Sequence, residues 1–502
     1  MKFSFLKRET PVVSRVQHPS MDIRLFATDA VNLEHDAFEQ LFEFADVGRA
    51  VDDLRRLAPE FLGDPEAGVE RVVLTPDFHR GSGIPVGTVI RARNLVLPQA
   101  TGNDVCCGMR LLATDLPAAH LEPHWPEIRK RLRAIFFEGE RNIPMSPRQR
   151  EAMLRDGLPG IVGVAEDNAT RGIWRRFDAR MQRDDLDRVH GHGRLPTTRL
   201  FGFDGFIRSS GNVDGRDPQI GCVGGGNHFV EVQRVDAILD GVAARAWGVS
   251  RGTVALMVHS GSVGVGHAVG GYFMDRAREL FPRAVRAPKG GFYPIPVEGA
   301  LAREGAFYFD GMGNAANFAF ANRLFLGLMA LRAIEEATGH TVNARLVYDA
   351  PHNLVFREGA VCLHRKGATP AGGATAPDFL GEPVIIPGSM GAASYLLAGG
   401  GQVDALESAC HGAGRSLSRG QASHVPEKVY REHTERLRIV TPIDPSAPML
   451  RGRRDILERY EKRVMEEAPY AYKPIEPVID TVVDAGIARR VARLMPLCTV
   501  KG

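Results

Sequence analysis

Three segments of this chain share one design: a run of β-branched and apolar residues, then a loop of glycine, serine, histidine or asparagine. "TVALMVHSGS" at 253–262, "ARLVYDAPHN" at 344–353 and "EPVIIPGSMG" at 382–391 all have this form. Such runs are the length of buried strands, and the polar residues after them fall where a sheet hands its chain to a loop. A chain built this way folds around a sheet whose strand ends gather polar side chains, and function concentrates in such loops. The sequence therefore predicts strands that deliver His259 and His352 at their C-terminal ends. The 55 glycines, gathered in short loops beside polar residues rather than spread through linkers, fit the same design.

Helices accompany the strands. "NAANFAFANRLFLGLMALRAIEEATG" at 314–339 predicts a long helix between two of them, and "PMLRGRRDILERYEKRVMEE" at 448–467 predicts another. Nearer the start, "AVDDLRRLAPEF" reads as helix and "VERVVLTPDFH" as a buried strand running into a loop. Between about 121 and 218 the text is polar, Arg-rich and poorly periodic, as an insertion or lid of helices and loops would be. Its "HGHG" at 190–193 reads as a surface loop rather than a metal site. With no repeat and no low-complexity linker, 1–502 reads as one large α+β domain carrying that divergent segment.

The formal charge of +3 is too small to argue for a polyanionic partner by itself. Six cysteines, two of them adjacent at 106 and 107, are too few for a disulfide scaffold and read as reduced thiols. "LFLGLMALRAI" at 324–334 carries Arg332 and is too short to span a bilayer. "MKFSFLKRETPVVSR" has no long apolar core of a signal peptide, so the expected location is the cytoplasm.

In "TGNDVCCGMR" at 101–110, Asp104 and Cys107 sit three apart in a glycine-flanked loop, a spacing that lets a carboxylate and a thiolate meet one metal. Alone, a core cysteine explains it as well. "GCVGGGNHFVEVQ" at 221–233 adds Asn227, His228 and Glu231 after three glycines, and His259 and His352 end strands. Three such histidines with an Asp-x-x-Cys point to a metal centre. Imidazole and thiolate suit Zn, Fe or Co, and a carboxylate also suits Mn. Five ligands exceed one tetrahedral site, which favours two ions with a bridging thiolate. "SACHGAGRSLSR" at 408–419 sets His411 near Arg415 and Arg419, and "HRKGAT" adds Arg365 and Lys366. Guanidinium groups grip phosphate oxygens, and a histidine there can act as a covalent nucleophile, as one more ligand, or as an inert surface residue. "GMGNAA" at 311–316 matches a relaxed dinucleotide fingerprint, but Glu335 and Glu336 lie inside the expected helix, so a nicotinamide enzyme is rejected.

"TPDFHRGSGIPVG", "GNDVCCGM", "GGGNHFVEV", "HSGS", "ANFAFANR", "PHN", "HRKGAT", "IPGSMG", "CHGAGRSLSR", "EEAPYAYK" and the terminal "VKG" follow one another along the chain. In that order they resemble the RtcB family of RNA-splicing ligases, from about residue 20 to the last residue. The resemblance implies a mixed fold around a deep metal-containing cleft. It implies joining of RNA 2′,3′-cyclic phosphate or 3′-phosphate ends to 5′-hydroxyl ends, with GTP and Mn²⁺ and through an RNA-(3′)pp(5′)G intermediate. Asp104, Cys107, His228, His259 and His352 would hold two manganese ions with Cys107 bridging, and His411 would become guanylylated. Asn227, Glu231, His352, Asn353, Ser394, Arg415, Tyr472 and Lys501 would bind the guanine nucleotide. Partners implied are such RNA ends, in tRNA splicing or RNA repair, and an archease-like activator. Four features depart from the family's pattern: Val263 stands where arginine is usual, Thr75 where methionine is, Cys106 where a small residue is, and 121–218 matches poorly. Two other readings share these residues: a binuclear metal-dependent phosphodiesterase or nuclease, and a non-catalytic RNA-binding paralogue.

Overall fold

The computed structural model describes residues 3–208, 219–375 and 379–502. It is a mixed α/β fold on two large sheets. One has the strand order Leu6–Arg8, Val13–Val16, Ile23–Phe26, Gly68–His79, Val86–Arg93, Val361–Lys366, Asn353–Glu358. The other runs Ala344–Pro351, Gly108–Pro117, Thr253–Ser260, Phe229–Ile238, Ala488–Val500, Ser394–Gly399, Pro383–Ile386, with Ile439–Val440 pairing Ala488–Val500 off that path. The three strand-then-loop segments thus all enter the second sheet.

Register explains why its polar ends meet. Pro351 and Ser260 both pair with Gly108, and His259 faces Met109 on one side and Phe229 on the other. Those pairings are antiparallel, so the ends of Thr253–Ser260 and Ala344–Pro351 coincide with the starts of Gly108–Pro117 and Phe229–Ile238. His259 and His352 arrive at C-terminal ends as expected. Cys107 and His228 instead precede their strands, because neighbours in an antiparallel sheet bring opposite termini to one edge.

The long helix is longer than its apolar run suggests, Ala302–Thr338, and nearly every side is buried. A helix enclosed all round must satisfy any polar side chain it carries. Asn314, Asn317 and Asn322 do so by holding loops: Asn317 accepts from Leu195 N, and Asn322 accepts from Gly221 N while donating to Gly261 O. "GMGNAA" lies within this helix, which excludes the βαβ turn of a dinucleotide site.

Within the 121–218 segment, Trp125–Phe137 is helical, Pro147–Gly163 is helical on either side of a kink at Gly157, and their apolar faces join the core around the long helix. His190 of "HGHG" is half-buried and bonds Glu382 at 2.9 Å, whereas His192 is exposed. Residues 209–218 of the segment lie outside the described residues. Among the described residues none of the six cysteines forms a disulfide. Among the described residues no helix is long and apolar enough to cross a membrane.

Candidate active site

At the shared sheet edge, donor atoms of five residues fall into two overlapping groups. Asp104, Cys107 and His228 form one, and Cys107, His259 and His352 form the other. Cys107 Sγ lies 3.1 Å from His228 Nε2 and 3.2 Å from His259 Nε2. His228 Nε2 is 3.0 Å from Asp104 Oδ2, and His259 Nε2 is 3.2 Å from His352 Nε2. The expected ligand set is therefore gathered, with the thiol common to both halves.

The donors fit metal ions better than they fit one another. Two facing Nε2 atoms can share at most one proton, and each has a lone pair that a cation would satisfy. Burial holds His259 and His352 well below the usual imidazole range, with neighbouring His228 and His411 adding to the effect, so both rings are neutral donors. Burial pushes the Cys107 thiol well up, and the Asp104 charge pushes it further, so a nearby cation is what would make it a thiolate.

A single guanidinium supports this edge from below. Arg323, fully buried on the long helix, donates to Cys106 O at 2.7 Å and Ser260 O at 3.1 Å, and pairs with Asp349 at 2.8 Å. It thereby ties together the residue before Cys107, the residue after His259 and the strand that leads to His352. Cys106 Sγ lies 3.9 Å from Arg323 and belongs to neither donor group. Close packing also fixes Gly261, where a Cβ would stand 2.5 Å from Asp104 Oδ1.

His411 stands next to the cluster, its ring centroid 4.6 Å from that of His352. Its Nδ1 is 2.7 Å from Asp77 Oδ2, and Asp77 is fully buried. Burial pushes the Asp77 carboxyl up, but the bond and charge of His411, the bond from Thr75 and the charge of His79 together outweigh it and hold the carboxyl low. Thr75 donates to the other oxygen at 2.6 Å, a bond that methionine could not make. Gly414, at φ +77°, lets the 411–415 turn close over Asp77 O, which a Cβ would reach at 2.4 Å. Asp77 lies in "TPDFHRGSGIPVG", where nothing in the local sequence marks it as a partner of His411.

A pocket of about 510 Å³ connects His411 to the cluster and to Asn227, Glu231, Asn353, Arg415, Tyr472 and Lys501. Ser394 is not on its wall: its hydroxyl accepts from Gln233, whose amide also donates to Glu231. Lys366 reaches the pocket, but Arg365 turns to Ser408. Glu467, also unmarked in the sequence, is met by Arg415 at 3.1 Å, Arg419 at 3.3 Å, Lys501 at 3.8 Å and the Tyr472 hydroxyl. A buried carboxylate so placed fixes three cations and a phenol in one wall.

The family described as tRNA-splicing ligase RtcB matches residues 65–502. This chain belongs to the RtcB family. The tRNA-splicing ligase RtcB of Thermococcus kodakarensis is 34% identical over 464 residues, covering 86% of this chain and 87% of that protein. The RNA-splicing ligase RtcB of Mycobacterium tuberculosis is 34% identical over 453 residues, covering 85% and 96%. The tRNA-splicing ligase RtcB of Methanococcus maripaludis is 30% identical over 497 residues, covering 94% and 92%. Against the RtcB pattern, Val263 opens the helix Val263–Leu280 at φ +50°, a strained backbone for a β-branched residue, and is not on the pocket's wall.

Proposed function

We propose that this protein is an RNA ligase that joins 2′,3′-cyclic phosphate or 3′-phosphate RNA ends to 5′-hydroxyl ends, using GTP and two manganese ions. The observation that carries the reading is His411, held through Nδ1 by buried Asp77 at 2.7 Å beside a metal-type donor set. A histidine held at Nδ1 keeps the Nε2 lone pair for a substrate. The relatives' names, tRNA-splicing and RNA-splicing ligase, support the same reading.

In this reading His411 Nε2 attacks the α-phosphorus of GTP; a P–N bond forms and pyrophosphate leaves. Asp77 fixes the ring's tautomer and offsets the charge that grows on it. Asn227, Glu231, Tyr472 and Lys501 hold the guanine nucleotide, with Asn353, Arg415 and, from behind Gln233, Ser394 shaping that site. An RNA 3′-phosphate oxygen then takes the GMP from His411, and the 5′-hydroxyl of the second strand displaces GMP to close the phosphodiester. A cyclic phosphate takes up one water before that transfer. Asp104, Cys107, His228, His259 and His352 would hold the ions, which supply positive charge for phosphate oxygens during displacement. Thiolate and imidazole suit zinc at least as well, so manganese rests on family membership. The test is incubation of the purified protein with radiolabelled GTP and Mn²⁺, which should leave acid-labile GMP on the protein. A phosphodiesterase or nuclease would cleave RNA and take up no label, and that result would refute the ligase reading.

Glu231 makes the nucleotide site pH-dependent. Burial raises its carboxyl to about 7, while bonds from Thr499 and Gln233 and the charge of Lys501 pull against the rise. Guanine presents N–H donors, which need the ionised form. GTP affinity is expected to rise with pH up to about 7 and then level off, falling by up to about tenfold per unit below it. Binding of a fluorescent GTP analogue across that range checks this, and Glu231→Gln should be weaker and flat with pH.

A further inference from the structure

A second pocket, of about 800 Å³, adjoins the first. The two share Asp104, Asn227, Arg419, Glu467 and Lys501 on their walls, yet they meet the donor cluster from different sides. His411, Cys107, His259 and His352 line the first pocket, whereas the second has Asp104 and His228 and lacks the nucleophile. A nucleotide seated at His411 fills the first, so a second phosphate-bearing substrate that must reach the same centre needs another way in.

The second wall has the chemistry of a nucleic-acid strand. Arg463 and His267 line it, both exposed, and the side chain of neither has an ion pair or hydrogen bond among the described residues. Most of the carboxylates there are already committed: Asp104 to His228, and Glu467 to Arg415, Arg419 and Lys501. Glu466 is the remaining acidic side chain on this wall, which also includes Gly502. Beside Arg463 and His267 stand the half-buried ring of Tyr460 and the apolar Ile439, Pro442 and Ile443. A flat apolar face next to an uncommitted guanidinium and an imidazole suits a base with its backbone phosphate, since bases stack on aromatic rings and phosphates seek arginine.

We propose that this pocket seats the last nucleotides of the RNA strand that carries the 3′-phosphate. The base lies on Tyr460 and its apolar neighbours, the preceding phosphodiester meets Arg463 and His267, and the terminal phosphate points to Asp104 and His228. The assignment rests on the ligase reading, and it separates the two strands: the 5′-hydroxyl strand enters elsewhere.

Two separate oligonucleotides test it, one ending in 3′-phosphate and one starting with 5′-hydroxyl. Tyr460→Ala and Arg463→Ala are each expected to raise KM for the 3′-phosphate strand about tenfold, the scale of one lost stacking or charge-assisted contact. KM for the 5′-hydroxyl strand and the rate of GMP labelling should stay as in the unchanged protein. Arg463→Glu, at an exposed position that the fold tolerates, should exceed Arg463→Ala. A rise confined to the 5′-hydroxyl strand, or no change in either, overturns the assignment. Fluorescence anisotropy of a labelled 3′-phosphate RNA reads the pocket without catalysis. If the unchanged protein binds that RNA and Tyr460→Ala weakens it while GTP leaves no label, the ligase reading fails and the pocket stands. If labelling occurs and the variants bind RNA normally, the pocket assignment alone fails.

Discussion

Replacing His411 with alanine is expected to abolish covalent labelling by GTP while leaving bound metal unchanged. The nucleophile assignment requires both halves of that result. His411 is held by Asp77 and the glycine turn, and although its ring packs beside that of His352 it belongs to neither of the donor groups, which comprise Asp104, Cys107, His228, His259 and His352. Loss of the ring removes the atom that would carry GMP and leaves the five donors in place. Asp77→Asn should keep the ring's place, because the amide oxygen can still accept from Nδ1–H. It removes the negative charge that offsets a forming imidazolium, so labelling should slow by roughly 10²–10⁴-fold. Label measured by scintillation and metal by inductively coupled plasma mass spectrometry decide the matter together. Label that persists in His411→Ala would show that another residue carries the nucleotide, and loss of metal in that variant would make His411 a ligand.

Much of the site was legible because its chemistry needs rare residue types at strand ends. Histidine, cysteine and asparagine beside glycine stand out against β-branched runs, and the donors found that way come together in space. What stayed hidden works through ordinary residues at long range. Asp77 is 334 positions from His411, and Arg323 is 217 from Cys106, so no local spacing could pair them. Nothing local marks Arg323 within "ANFAFANR"; only burial on every side turns it into a clamp. Glu467 stands among charges at the end of a helical run, where a solvated face is the ordinary expectation, and the fold instead encloses it with Arg415, Arg419 and Lys501. The rule that strands deliver site residues at C-terminal ends holds for His259 and His352. It misses Cys107 and His228, because direction depends on pairing, and pairing is non-local.

Cys107→Ala is expected to strip bound metal more completely than Asp104→Ala. The thiol belongs to both donor groups, whereas the carboxylate belongs to one. Without Sγ, one group keeps Asp104 and His228 and the other keeps His259 and His352, and two donors each make weak sites. Without Asp104, the group of Cys107, His259 and His352 is whole, so about one ion of two should remain. Asp104→Asn sharpens the comparison, since it keeps an oxygen donor and removes only charge; its occupancy should fall between Asp104→Ala and the unchanged protein. Cys106→Ala is the control for the loop itself, since its sulfur contacts Arg323 and belongs to neither donor group. That variant should keep both ions and full labelling, provided its melting temperature shows the fold intact. Equal metal in Cys107→Ala and Asp104→Ala would mean that the thiol serves a single ion, and the shared position of Cys107 between two groups would then be a matter of packing alone.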